Sequence, residues 1–468
     1  MYNLLFNADS YKLSHFAQYP KGTEHIYSYI EPRKGSYPVV VLGIQKFCED
    51  LERGVMKWEV EEAEELATLH GVPFNREGWD LLLQEYPSGV LPLKVMGVPE
   101  GTVVTPGTPV AILVNTDPRF PWLTSYFETK FLRDVWYPST VASRSRYIKN
   151  RIAGFMQYTG ADMSTLEFKL HDFGARGVSS EDSAIVGGTA HLTQFKGSDT
   201  FEAVAHIHNE YGVIAGFSIP ATEHSTVTSW GRENEKAMYE NFLRVYGGEG
   251  KIFACVSDSY NIWEALKIWK ELEPVLLEVG GTLVIRPDSG DPVTTPVQVI
   301  EELMDLFGFT VNAKGYKVLP SHIRVIQGDG VDEESIVRIM QRMVDRKLSI
   351  DNIAFGMGGG LLQSLTRDTL GWAMKCSAAC INGKWTDVYK DPIGGGKTSK
   401  RGLVFSQGCI PYDHLKVPQL IKDSVTAPEG WVVHFHNGHN FTFNKSPSGW
   451  AEILSNSMYT KEAISFND

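Results

Sequence analysis

Four residues with the chemistry of a reaction centre recur at equivalent points along the chain. Glu223 and His224 (IPATEHSTVTSWG, 219–231), Asp258 (CVSDSY) and Asp288 (RPDSG) each follow a short branched apolar run and precede a helical pattern. A carboxylate beside an imidazole fixes its tautomer and raises its basicity, which suits a base, a phosphate acceptor or a stabiliser of developing positive charge. A second set is glycine-rich: QGDG (327–330) and GMGGG (356–360). Bare backbone N–H groups near helix starts let a phosphate approach closely, and the helix N-terminus favours its charge. Phe173 and Arg176 lie in HDFGARG (171–177), at the end of a strand, where packing accounts poorly for them. The Ser179, Ser180, Glu181 and Asp182 that follow are ordinary helix caps. Together these residues indicate an enzyme for a phosphorylated substrate.

Such residues need elements to position them. LVIRPDSGDP (283–292), IRVIQGDGVD (323–332) and NIAFGMGGGLLQ (352–363) each read as a short buried strand running into a loaded loop. Amphipathic helical patterns such as PVQVIEELMDLF (296–307) and DEESIVRIMQRMVDRKL (332–348) separate them. Strand, loop and helix in series predict a parallel β/α architecture, and in a barrel the loops at the carboxyl ends of the strands hold the active site. Eight candidate strands end at KLHDFG (169–174), QFKGSD (194–199), SIPATEH (218–224), ACVSDS (254–259), VIRPDSG (284–290), VIQGDG (325–330), AFGMGG (354–359) and MKCSAA (374–379). Upstream, the alternation is absent. Residues 25–43 read as a hairpin, Phe47–Gly54 as helix, and 91–115 as antiparallel strands with Gly/Pro turns. A final hairpin is expected over 431–443, turning at Asn437–Gly438. The predicted plan is an α/β chain. A sheet-containing domain spans 1–145, a catalytic barrel 146–380, and a segment 381–468 packs with the first domain.

Composition narrows the class. A formal net charge of −12 over 468 residues argues against general nucleic-acid binding, while leaving room for a local basic pocket. No apolar run approaches a membrane span, and MYNLLFNADSYKLSH lacks the pattern of a signal peptide. The scattered Cys48, Cys255, Cys376, Cys380 and Cys409 suggest reduced thiols and a cytoplasmic location. GGGKTSKRG (394–402) fails the P-loop spacing because position 391 is Asp391; it reads instead as a basic loop carrying Lys397, Lys400 and Arg401 toward an anion. HIH (206–208) and HFHNGH (434–439) lack a third ligand at a recognisable spacing, so no protein-only metal site is expected.

In order along the chain, NADSYKLSHFAQYP (7–20), EFKLHDFGARGVSS (167–180), HLTQFKGSDT (191–200), PATEHST (220–226), VSDSYNIW (256–263), VIRPDSGDP (284–292), RVIQGDGVD (324–332), AFGMGGGLLQSLTRD (354–368) and MKCS (374–377) resemble the nicotinamide phosphoribosyltransferase family, type II phosphoribosyltransferases. The resemblance implies a distorted α/β barrel plus a sheet domain, acting as a head-to-tail homodimer. It implies the conversion of nicotinamide and phosphoribosyl pyrophosphate to nicotinamide mononucleotide and pyrophosphate with Mg²⁺, in NAD salvage, coupled to ATP hydrolysis through a phosphohistidine at His224. By the same resemblance Phe173 and, from the partner subunit, Tyr11 stack on the pyridine ring, while Arg286 and Asp199 hold the amide. Asp288, Gly328 and Asp329 take the ribose hydroxyls, and Gly358 and Gly359 cradle the 5′-phosphate. Arg176, with partner-chain Arg33, Arg367, Lys375 and Lys390, faces pyrophosphate or ATP phosphates, and Glu223 and Asp258 orient His224. Rival readings are a nicotinate phosphoribosyltransferase, a sugar-phosphate lyase or isomerase of barrel fold, and a non-catalytic binding protein. Asp199 disfavours the first, since it would repel the nicotinate carboxylate. The second calls for a Schiff-base lysine or metal triad, and the only strand-end lysines are Lys196 and Lys375. The third would show a degraded site, whereas every expected charged residue is present.

Overall fold

The computed structural model describes residues 3–393, 398–442 and 444–458. Two compact units emerge, one of Met1–Ser143 with Thr366–Met458 and one of Arg144–Leu365. The boundary falls inside the helix Glu128–Thr159, which continues through Pro138.

In the second unit six parallel strands form one sheet. They are β1 (Leu170–Asp172), β2 (Gly197–Ser198), β3 (Ile252–Val256), β4 (Thr282–Arg286), β5 (Ile323–Gln327) and β6 (Ile353–Met357), in the spatial order β2-β1-β6-β5-β4-β3. The residues of β3 to β6 are mostly apolar on both faces, as expected for parallel strands covered by helices, whereas the short β1 and β2 carry polar residues. The outer helices carry an apolar stripe. In Glu333–Asp345 this is Ile336, Ile339, Met340 and Met343, and Asp332 caps the first turn by accepting from Ser335 N at 2.7 Å. Residues 217–221 join the two edge strands. Phe217 bridges Gly197 of β2 and Ala221 bridges Ala254 of β3, both in parallel sense. The sheet therefore curls into a distorted barrel of six strands and one irregular segment.

Seven of the eight expected strand ends lie in this ring. The eighth does not. Residues 374–379 belong to the strand Trp372–Ile381, which pairs antiparallel with Thr23–Pro32 in the first unit. A fully apolar run looks the same in either kind of sheet, so only its partner distinguishes them.

The first unit holds a seven-stranded antiparallel sheet in the order Lys384–Asp387, Trp372–Ile381, Thr23–Pro32, Ala111–Asn115, Leu93–Gly97, Val432–His436 and His439–Asn440. Its strands therefore come from both ends of the chain. The expected hairpin over 25–43 is absent, because Val39–Val40 pairs with Val103–Val104 instead. The terminal hairpin forms as expected, with Asn437 and Gly438 at φ 48° and 86° supplying the left-handed turn.

Candidate active site

β1, β2, β5 and β6 each pass directly from their last residue into a residue expected at the site; β4 ends on Arg286 itself, with Asp288 two residues on, and after β3 only Ser257 precedes Asp258. Beyond β1, Phe173 N donates to Met357 O at 3.0 Å. Its half-buried ring lies on the backbone of two glycines. A Cβ at Gly356 would stand 1.9 Å from the ring, and one at Gly328 would stand 3.1 Å away. Like Ile219 and Ala354, the ring packs against the buried cluster of Ala254, Val284 and Ile326. The glycines of the late strands thus serve the ring as well as any phosphate.

At the end of β4, Arg286 Nε is buried and makes no hydrogen bond; Asp288 Oδ1 is 3.6 Å from it. At the end of β2, the exposed Asp199 accepts from Ser218 Oγ, and its backbone N–H donates to Asp172 O at 2.9 Å.

His224 opens the short helix His224–Thr228. Its Nε2 lies 3.0 Å from Asp258 Oδ1 and its Nδ1 3.8 Å from Asp288 Oδ2. Asp258 is only 5% exposed, and its Oδ2 accepts from Asp288 N at 3.0 Å and from Ser289 Oγ at 2.5 Å. One carboxylate therefore ties together the loops after β3 and β4 and the imidazole. An ionised carboxylate only accepts, so the geometry calls for the Nε2–H tautomer, leaving the Nδ1 lone pair free. Glu223 was expected to orient His224 and does not. As the helix N-cap its carboxylate accepts from Ser225 Oγ, and among the described residues no hydrogen bond joins it to the imidazole.

Gly328, Gly358 and Gly359 line a cavity of about 640 Å³ together with Gly330, Gly360 and the start of the helix Glu333–Asp345. Arg144, unmarked by any motif, also lines it, donating to Gly360 O and, at 3.2 Å, to Ser364 O. Asp329 is exposed on the same loop, its carbonyl accepting from Gln327 Nε2 at 2.7 Å. Arg176 is exposed in the turn Ala175–Gly177. Among the described residues no group of three or more His, Cys, Asp and Glu is arranged to hold a metal.

The remaining expected residues lie in the first unit. Tyr11 is 61% exposed, with its ring edge-on to His15 at 5.0 Å. Lys375 stands opposite Tyr29 in the sheet, and Arg33 Nε donates to Gly371 O at 2.8 Å. Burial lowers the pKa of Lys375; Glu128 opposes this, and Arg33, Lys390 and Lys12 lower it further. These four cations thus share one electrostatic neighbourhood. Arg367 is separate, with Asp368 at 3.7 Å. In the basic loop, Lys400 pairs with Glu31 and Arg401 lies 3.8 Å from Asp387, while Lys397 falls outside the described residues.

Two residues escaped the sequence reading although both stand inside quoted motifs. Asp172 of HDFG and Ser218 of SIPATEH are ordinary by type, and only their contacts mark them.

The fold is similar to that of the solved nicotinate-nucleotide pyrophosphorylase from Pyrococcus furiosus, with a TM-score of 0.58 at 14% identity, covering 97% of this chain and 94% of that one. The profile of the nicotinate phosphoribosyltransferase (NAPRTase) family matches residues 168–423, and that of the nicotinamide phosphoribosyltransferase N-terminal domain matches residues 3–95. Fold and site together define a barrel enzyme of the phosphoribosyltransferase class. Over 410 residues, 86% of each chain, the sequence is 47% identical to a nicotinamide phosphoribosyltransferase from Xanthomonas campestris pv. campestris (strain 8004). A protein of the same name from Acinetobacter baylyi is 31% identical over 447 residues, 86% of this chain and 88% of that one. The chain belongs to the nicotinamide phosphoribosyltransferase family.

Proposed function

We propose that this enzyme joins nicotinamide to phosphoribosyl pyrophosphate, giving nicotinamide mononucleotide and pyrophosphate in the salvage of NAD. The observation that carries the reading is the Phe173 platform, flanked by the unsatisfied Arg286 Nε and the exposed Asp199. A flat ring with an amide matches that set: ring face to Phe173, carbonyl oxygen to Arg286, amide NH₂ to Asp199. Tyr11 of the partner subunit would close the other face, so that a homodimer holds two composite sites.

In the reaction the ring nitrogen's lone pair forms the bond to the anomeric carbon as the bond to pyrophosphate oxygen breaks, taking its electron pair with it. Positive charge develops on the ribose, where Asp288 stabilises it, with Gly328 and Asp329 at the hydroxyls. Gly358 and Gly359 offer backbone N–H groups to the 5′-phosphate. Arg176, with partner-chain Arg33, Arg367, Lys375 and Lys390, would receive pyrophosphate. The hard oxygen donors at the barrel mouth, Asp258 and Asp288, suit Mg²⁺ held chiefly by the substrate's own phosphates, and the ion would neutralise the leaving group.

ATP enters as a second substrate. His224, with Nε2–H held by Asp258 and Nδ1 free, is arranged to take its γ-phosphoryl group. The free cysteines and the lack, among the described residues, of any helix able to cross a membrane agree with work in the cytoplasm.

The test is an assay of purified protein with phosphoribosyl pyrophosphate and Mg²⁺, comparing nicotinamide with nicotinate, with and without ATP. Nicotinamide should be preferred by about a thousandfold or more, because a like charge against Asp199 costs several kcal/mol. Asp199→Asn should narrow the gap. Equal use of both bases would replace this reading with that of a nicotinate enzyme.

A further inference from the structure

The HDFG turn contains an acid that the reaction above does not use. Asp172 is the last residue of β1 and is wholly buried. It stands next to the ring platform in sequence and opposite Ser198 in the sheet. Its backbone carbonyl accepts from Asp199 N at 2.9 Å, and its side-chain Oδ1 accepts from Gly174 N at 2.7 Å. The second oxygen, Oδ2, has no hydrogen bond, and neither has the buried Oγ1 of Thr200 beside it. The two are close enough for the hydroxyl to stabilise the carboxylate. Helix Glu181–Leu192 passes close to the same oxygen: a Cβ placed at Gly188 would stand 3.3 Å from Oδ2.

Asp172, through its carboxyl and its backbone carbonyl, therefore adjoins three things. They are the turn that aims Phe173, the loop that carries Asp199, and the helix behind both. We infer that Asp172 is a positioning residue of the nicotinamide site, setting the spacing between the Phe173 platform and the Asp199 acceptor while touching neither substrate. The inference rests on the functional reading above, which gives that spacing its meaning.

The arrangement is costly. An apolar residue would be the ordinary choice at a buried strand end, and burial drives the acid's pKa up to about 6 even with help from Thr200 and Gly174. What a carboxyl offers there is one acceptor bonded to the turn and a second, at fixed separation, held near the Thr200 hydroxyl of the neighbouring loop. Asparagine keeps the acceptor for Gly174 N–H and can donate to Thr200, so it should preserve the spacing. Alanine loses both.

The experiment measures KM for each substrate and kcat in Asp172→Ala, Asp172→Asn and Thr200→Val, with melting curves for each. Asp172→Ala should raise KM for nicotinamide by about tenfold or more while KM for phosphoribosyl pyrophosphate stays within about twofold. Asp172→Asn should lie within about threefold of the unmodified enzyme, and Thr200→Val should shift KM for nicotinamide by a similar small factor. Equal increases in both KM values would show general loosening and overturn the inference. So would an Asn variant as impaired as the Ala variant. If the Ala variant does not fold, the Asn and Val variants decide, and an unchanged nicotinamide KM in Thr200→Val overturns the link to the Asp199 loop. If the unmodified enzyme ignores nicotinamide, the functional reading falls instead. The inference is then decided by a crystal structure of Asp172→Ala, in which a Phe173 ring still seated on Gly356 overturns it.

Discussion

The two units build their charged residues into sites by opposite routes. In the barrel unit, His224, Asp258 and Asp288 come from separate strand-to-helix turns and satisfy one another. Asp258 alone holds the imidazole, a backbone N–H and a hydroxyl. In the sheet unit, the strand residue Lys375 feels the like charges of Arg33, Lys390 and Lys12, against one acid, Glu128, which is itself paired with Lys12 at 2.9 Å. The first arrangement is directional and internally complete, and it can orient a reacting group. The second is an excess of positive charge, only partly offset by Glu128, which suits a polyanion.

That contrast can be broken by mutation. The largest effect is expected at Asp288, where the proposed reaction would develop charge. Asp288→Asn should lower kcat/KM by about 10²–10³-fold with an unchanged melting temperature. Retention of activity within a few-fold would move the role of cation stabiliser elsewhere. Next comes Lys375→Ala, which should raise KM for phosphoribosyl pyrophosphate by about 10–100-fold and leave KM for nicotinamide alone. The penalty should shrink at high ionic strength, because exposed neighbours of the lysine are screened by salt. A loss confined to nicotinamide binding would erase the contrast between the two regions. His224→Ala should abolish acid-labile labelling by γ-labelled ATP and all stimulation by ATP, while lowering the remaining transferase activity only several-fold; labelling that persists in the variant would mean another acceptor.

The smallest effect concerns stability in the sheet unit. Burial raises the pKa of Glu100 to about 7 against three backbone N–H groups that lower it. Between its unfolded value near 4.5 and about 7 the folded chain keeps a proton that the unfolded chain releases. The contribution to stability is therefore full below the lower value and is lost as pH rises through the upper one. Urea unfolding at pH 4.5 and pH 7.5 should show a fall of about 1–3 kcal/mol that Glu100→Gln removes. An identical pH dependence in both proteins would assign the effect to other groups.

How much of this was readable in advance differs between the units for a physical reason. In the barrel each functional residue lies within a few residues of the strand that aims it. Apolar run, glycine loop and helix cap are local signals, so Asp258, Asp288, Gly328 and Gly358 could be placed from the sequence alone. The sheet unit depends on pairings between distant segments. The strand at 372–381 read as a barrel strand because nothing within it reveals that its partner is Thr23–Pro32. Contacts made by ordinary residues were invisible even in the barrel unit. Asp172, Ser218 and Arg144 carry no motif of their own, and Glu223 turned to Ser225 rather than to the imidazole beside it.

By itself the sequence determined the barrel, the glycine loops, the acid and imidazole positions and, through resemblance, the family. These follow from patterns a few residues long, where backbone sterics and burial leave one reading. Only the tertiary structure decided that one carboxylate would hold His224 and two loops at once, that Phe173 would rest on Gly356 and Gly328, and that four cations would meet in the sheet unit. Those outcomes rest on distances of a few ångströms between residues far apart in the chain, which the packing of whole elements sets.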